Sequence, residues 1–417
     1  MVHGEAWTLK EFFVYPNEYI YWSIQIVMYP FMTGLVAGAF VLSSLYHVFG
    51  VKQLKDIARF ALVFSLALLP VAMMPLLLHL QQPFRGINVM MTPHFTSAIA
   101  AFGIVFTTYG MIVASEIWFV YRKFIVERVN ELRENQQRAP LESLQLMIYT
   151  LLSMGAMDIS PEALHKDERA VSILAAIGIP VACFLHGYAG FIFGSVKANA
   201  LWMTPLMPVI FICSAVVSGI ALCIATYIIT MELRKFIYAR RRLDDPDLPT
   251  NDELKSAEIH VVTMTVKYLV MFLVLAITLE LLDLIFRTYT AVKSWDILRS
   301  VIYERDFFKI FILQYGLGNL VPFILFLMPG LTIRRALLGT LLVLMGVFMM
   351  RWNVVIGGQA FSASFSGFMD YKLPLWPDNL ETYKEGLLGA LTVIATPFVL
   401  FYGVTRILPV FGVKDSH

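Results

Sequence analysis

The chain has 417 residues, of which 58% are hydrophobic and only 15% charged, with a formal net charge of +2. That balance excludes an ordinary soluble globular domain and marks an integral membrane protein. The near-neutral charge offers no basic face that would imply a nucleic-acid partner. Cys183, Cys213 and Cys223 are the only cysteines and lack CxxC spacing, so the chain alone cannot supply the four thiolates of an iron-sulfur cluster; they read as packing residues.

In chain order, residues 1–21 have no basic start, short apolar core or small-residue cleavage site, and so do not read as a signal peptide. Trp7, Phe12, Phe13, Tyr15, Tyr19 and Tyr21 suit a segment lying at the membrane interface. Apolar runs are then measured against the roughly 20 residues a helix needs to span a bilayer. They are Trp22 to Phe49, Phe60 to Leu80, about His94 to Val120, Ala170 to Phe193, Trp202 to Met231, Val261 to Phe286, Ile310 to Leu331, Ala336 to Met350 and Gly386 to Thr405. The seventh and eighth runs are joined by an expected tight turn around Arg334 and Arg335. Ser143 to Met157 is a shorter run, bounded by Glu142 and Asp158. It is expected to lie at the interface or against the bundle, as a short helix within the charged loop 122–168.

Lys and Arg concentrate in the loops 52–59, 122–169 and 234–255, which predicts that these are inside and that the N-terminus is outside. The loop from Arg287 to Lys309 is a basic exception on the outer side, and residues 352–383 form a long outer loop punctuated by GGQ and LPLWP.

With this topology His79, His94, His186, Glu280, Asp283 and Arg351, from five segments, share a similar outer depth. Charged groups within membrane helices usually face the bundle interior. Glu280 and Asp283, three apart, lie on one helix face. A quinone head group needs these residue types: donors for its two carbonyl oxygens, and an imidazole coupled to a carboxylate for its protons. Blander roles compete with this one. A histidine at a helix end is commonly an interface residue, and the two acids also serve to neutralise Arg287 or Arg351. Gly34 and Gly38 form a GxxxG that permits close helix packing. A transporter or channel, or a haem b protein with paired histidines, remains a rival class.

The run GIPVACFLHGYAGFIFGSVKANALW, with DISPEAL before it and TPLMPVIFICSAVVSG and RWNVVIGGQ after it, resembles the NrfD/PsrC-type quinone-interacting membrane subunits. Their HybB/QrcD-like branch is the most similar, and HLQQPFRGINVMMTPHFTSAIAAFG leans towards QrcD. The resemblance implies one all-α polytopic transmembrane bundle of about nine or ten helices over residues 1–417, in the bacterial inner membrane with a periplasmic N-terminus. It implies menaquinone or a related quinone as substrate and no haem or metal in this chain. The implied partners are membrane lipid and a periplasmic ferredoxin-like iron-sulfur subunit, which in turn contacts a molybdopterin-type, hydrogenase or multihaem cytochrome c subunit. Smaller members often read DLGRP where this chain has HLQQP, so His79 stands in place of the family's acid. By this resemblance His79, Arg85, His94 and His186 form the quinone pocket. Glu280, Asp283 and Arg351 are neighbours that move or balance protons. Glu116, His260 and Lys267 begin an inner proton route, and Lys197, Asn199 and Gln359 contact the iron-sulfur partner.

Overall fold

The computed structural model describes residues 19–97, 99–135, 139–196, 199, 201–241, 249–289, 295–361 and 367–411. Among them eight helices are long and apolar enough to cross a membrane, and no strand forms beyond two isolated bridges. The protein is an all-α polytopic bundle. Its elements are α1 (Ile24–His47), α2 (Lys55–Leu68), α3 (Met74–His79), α4 (Ala100–Glu134), α5 (Pro140–Leu152), α6 (Pro161–Gly194), α7 (Met207–Arg241) and α8 (Asn251–Tyr289). A π-helical segment (Phe308–Leu320) then runs on into a short α-turn, followed by α9 (Ile333–Val355) and α10 (Leu387–Ile407).

Local chemistry sets several boundaries. The Ser23 hydroxyl accepts the Gln25 N–H and caps α1; Ser160 caps α6 on the Ala163 N–H, with Pro161 in the first turn. The run Phe60 to Leu80, expected as one span, is instead two helices. Pro70 has no N–H to continue α2, the chain turns through 69–73, and Pro75 opens α3. The two pieces together still connect one end of α1 to the other, since His79 returns to Ser23. This division also accounts for eight long helices against nine apolar runs.

The turn expected around Arg334 and Arg335 lies earlier, at Met328 to Thr332. Thr332 caps α9 on the Arg335 N–H, and the Arg335 side chain reaches back to the Met328 carbonyl at 2.6 Å. Both arginines therefore sit in the first turn of α9. The short run at Ser143 is α5. It is pinned to the bundle by the Trp118 indole on the Leu152 carbonyl and the Tyr149 hydroxyl on the Ile407 carbonyl, both at 2.8 Å.

α1 is enclosed by α2, α6, α7 and α9, and nearly all of its side chains from Ile24 to Ser44 are buried. Close approach is set by small residues. A Cβ on Gly38 would strike the Ala215 carbonyl of α7, and one on Gly219 would strike the Gly38 backbone. Gly318 of the π-segment and Gly346 of α9 meet in the same way.

Candidate functional site

Arg351, in the last turns of α9, has no solvent exposure. One guanidinium nitrogen lies 2.9 Å from His186 Nε2, 2.7 Å from the Ser214 hydroxyl and 3.3 Å from the Phe211 carbonyl. The guanidinium carbon stands 3.8 Å from the Phe211 ring centre. Arginine only donates, so His186 Nε2 accepts and its proton sits on Nδ1, 3.4 Å from Thr33 of α1. The His186 ring stacks on Phe211. Both of its ring nitrogens are thus engaged by protein.

Two cavities lie on different faces of α9, and Arg351 lines neither. On one side, α1, the π-segment, α9 and α10 enclose a cavity of about 710 Å³. Its wall is apolar apart from Lys309 and Trp352, and it is lined by Met28, Met32, Met349, Leu391 and Phe398 among others. Trp352 belongs to its lining, and the indole Nε1 is buried without a hydrogen-bond partner among the described residues. Ile24 and Leu387 also line it; Ser23, beside Ile24, and Glu385, two residues before Leu387, both meet His79 Nδ1, at 3.0 and 3.3 Å. Near Trp352, Tyr371 presents its ring edge-on at 5.2 Å. Burial pushes the Tyr371 phenol up to about 12, so it stays a neutral hydroxyl at any working pH.

On the other side lies a smaller cavity of about 120 Å³ between α7, α8, the π-segment and α9. Glu280, Asp283, Gln314, Tyr315 and Asn353 line it. Gln314 donates to Glu280 at 2.9 Å and accepts from Asn353 at 2.8 Å, while Thr204 donates to Asp283 at 2.5 Å.

The remaining expected residues are dispersed. Arg85 and His94 lie on the exposed segment between α3 and α4, where His94 meets Thr96 at 2.8 Å. Glu116 is fully buried in α4, 3.5 Å from His47 Nδ1 at the far end of α1. His260 and Lys267 are exposed on α8. Asn199 turns inward: its amide donates to the Gly358 carbonyl at 2.5 Å and its oxygen accepts from the backbone of Leu201 and Trp202. Gln359 donates to the Val355 carbonyl at 2.9 Å. Lys197 lies outside the described residues. No cluster of three or more metal-ligating side chains occurs among those described.

Sequence reading missed Ser214, Phe211, Gln314, Asn353, Thr204 and Trp352. Gln314 and Asn353 carried a signal, since amides within apolar runs need partners. Ser214 and Thr204 carried none, because hydroxyls satisfy themselves on their own helix backbone.

The sequence profile described as "Polysulphide reductase, NrfD" matches residues 15–363. The chain belongs to the NrfD family. Among its relatives, a selenate reductase subunit of Mesobacillus selenatarsenatis is 25% identical over 410 residues, covering 96% of this chain and 89% of the relative. A dimethyl sulfoxide reductase membrane subunit of Halobacterium salinarum is 26% identical over 223 residues, 53% of this chain and 46% of that one. The Hdr-like menaquinol oxidoreductase integral membrane subunit of Archaeoglobus fulgidus is 23% identical over 223 residues, 54% of this chain and 44% of the relative. This NrfD chain is therefore a multi-pass membrane subunit of the kind that serves multi-subunit reductase complexes.

Proposed function

We propose that the chain is the quinone-reactive membrane subunit of a respiratory oxidoreductase, and that menaquinone or menaquinol binds in the large cavity with its head group towards His79. The observation that carries this reading is the cavity itself: about 710 Å³ of almost wholly apolar space, whose lining residue Ile24 follows Ser23, the hydroxyl that meets His79. An isoprenoid tail matches the methionine and leucine walls, and pockets of this size suit ligands with a large apolar body and few polar groups.

The residues divide the work. The Trp352 Nε1–H, buried without a partner among the described residues, donates to one quinone oxygen. Ser23 and Glu385 both meet Nδ1 of His79 and fix the ring, which leaves its other nitrogen to take the proton of a quinol hydroxyl. Oxidation of the quinol breaks two O–H bonds, releases two protons and passes two electrons to an iron-sulfur subunit docked on the periplasmic face. His186, enclosed away from both cavities, positions Arg351. Two relatives are named for reduction of selenate and of dimethyl sulfoxide and the third for menaquinol oxidoreduction, which supports electron flow out of quinol. Glu116 beside His47 offers a protonatable pair towards the inner side.

A photoreactive menaquinone analogue, cross-linked to the purified complex, tests this placement. Labelling of peptides from α1, the π-segment, α9 and α10, saturable and competed by menaquinone, is expected. Leu391→Trp, which fills the cavity, should lower kcat/KM at least tenfold for long-tailed quinol while leaving a tail-less analogue within about threefold. Saturable labelling confined to helices that do not line the cavity would exclude it, and no saturable labelling by a folded complex would exclude quinone binding.

A further inference from the structure

The small cavity beside α8 differs from the large one in what its polar groups have left to offer. Several of its hydrogen-bond donors already serve neighbours: the Gln314 amide donates to Glu280, the Asn353 amide to Gln314 and the Thr204 hydroxyl to Asp283. Its acceptors are not used up. A carboxylate has about four lone-pair sites, and the bond from Gln314 fills only part of that capacity on Glu280. The Asn353 side-chain oxygen has no hydrogen-bond partner among the described residues, on a residue only 6% exposed. An orphaned buried carbonyl oxygen costs about 1–3 kcal/mol, and here it belongs to a side chain lining a cavity large enough for several water-sized groups.

None of the side chains lining this cavity is cationic. The nearby guanidinium of Arg351 acts on Glu280 by charge but is turned towards His186 and Ser214. Oxygen-only surroundings of carboxylate, amide carbonyl and water suit hard cations, and a positive charge behind the site favours one unit of ligand charge over two. The π-helical winding of Phe308–Leu320, which carries Gln314 and Tyr315, is a departure that clusters at functional sites.

We propose that this cavity binds one monovalent metal cation, ligated by the Asn353 side-chain oxygen and the carboxylate of Glu280, with Asp283 adding negative charge and water completing the shell. The site is distinct from the quinone cavity, which lies across α9.

Thermal unfolding of the purified complex in LiCl, NaCl, KCl and choline chloride at equal ionic strength tests the proposal. A saturable rise in Tm of about 3 °C or more with one of the metal ions over choline is expected. Asn353→Leu and Glu280→Gln should abolish that rise while cross-linking of the menaquinone analogue is retained. Equal Tm in all four salts for the wild-type complex would overturn the proposal, and would leave the excess acceptors to a proton on Glu280. An ion-specific rise undiminished in folded Asn353→Leu and Glu280→Gln complexes would overturn it too. Variants that do not fold leave the wild-type comparison decisive.

Discussion

Arg351 donates to His186 Nε2 at 2.9 Å in a place where neither side chain touches solvent. The pair joins α9 to α6, and through Ser214 and Phe211 it also holds α7. Removing Arg351 leaves the His186 Nε2 acceptor buried without its donor, a loss of about 1–3 kcal/mol on top of the lost packing on Phe211, whereas removing His186 leaves the guanidinium its bonds to Ser214 and the Phe211 carbonyl. Arg351→Ala is therefore expected to lower the Tm of the complex sharply, and His186→Ala to do so by a smaller amount. Arg351→Lys should not restore wild-type stability, because an ammonium cannot reproduce the planar fork and its stacking on Phe211. Thermal unfolding of the three variants checks this; a wild-type Tm for Arg351→Lys would contradict the account.

The α1–α7 crossing gives a second expectation. Gly38 and Gly219 face each other with no room for a Cβ on either. Gly219→Ala should cost about 1–3 kcal/mol through forced separation of the helices. Gly403→Ala, in open space on α10, should be neutral or slightly favourable. Comparing the folded yield and Tm of the two variants separates a packing requirement from a general sensitivity to glycine loss.

The sequence directs Asn199 towards a partner protein, yet its side chain ties the end of α6 to Gly358 and caps the Trp202 turn. Trp202 in turn stacks on Trp22 at 5.5 Å and donates to the Val354 carbonyl at 2.5 Å. Asn199→Ala is expected to lower Tm, with about 1–3 kcal/mol lost from the unpaired Gly358 carbonyl. Affinity for the electron-transfer partner, measured by co-purification at a temperature where the variant is folded, should be unchanged.

A pH dependence follows from the loop between α5 and α6. The Ser160 backbone N–H donates to Asp158 at 2.9 Å, and this bond, with the Ser160 hydroxyl and nearby Arg122, holds the Asp158 carboxyl below its ordinary value of 3.8. A carboxylate whose folded value is depressed adds stability above the unfolded value and loses it as pH falls through the folded one. Hydrogen exchange of residues 153–160 should therefore accelerate, relative to the intrinsic rate, as pH drops below about 4, and Asp158→Asn should flatten that dependence. An unchanged profile in the variant would rule out Asp158 as its source.

The class, the long helices and the family were legible because each rests on many residues at once: an apolar run of about twenty positions survives any local exception. The single break, at Pro70, was visible as a proline but not as a boundary, since prolines also sit inside α1, α6 and α10, where packing tolerates them. His186 and Arg351, singled out in the sequence as polar groups within apolar runs, do meet in the fold. Facing was not readable. Arg85 and His94 lie on an exposed segment and the Asn199 side chain bonds to backbone of its own chain, because rotation about the chain axis depends on neighbours that composition does not encode. The partners of the buried arginine, Ser214 and the Phe211 carbonyl, left no trace at all, as serines and backbone oxygens are everywhere in such a chain.

The enclosure of α1 constrains the order of assembly. This helix precedes every other one it packs on, yet the finished bundle surrounds it on nearly all sides, with Thr33, Ser43 and Ser44 buried along its length. Gly38 has no partner until Gly219 has been synthesised. During synthesis this helix must wait in lipid, or beside an insertion factor, with its small-residue groove unfilled until α7 arrives. A ribosome stalled before α7 would hold an α1 still open to lipid, and the shelter of this segment is completed only as the later helices arrive.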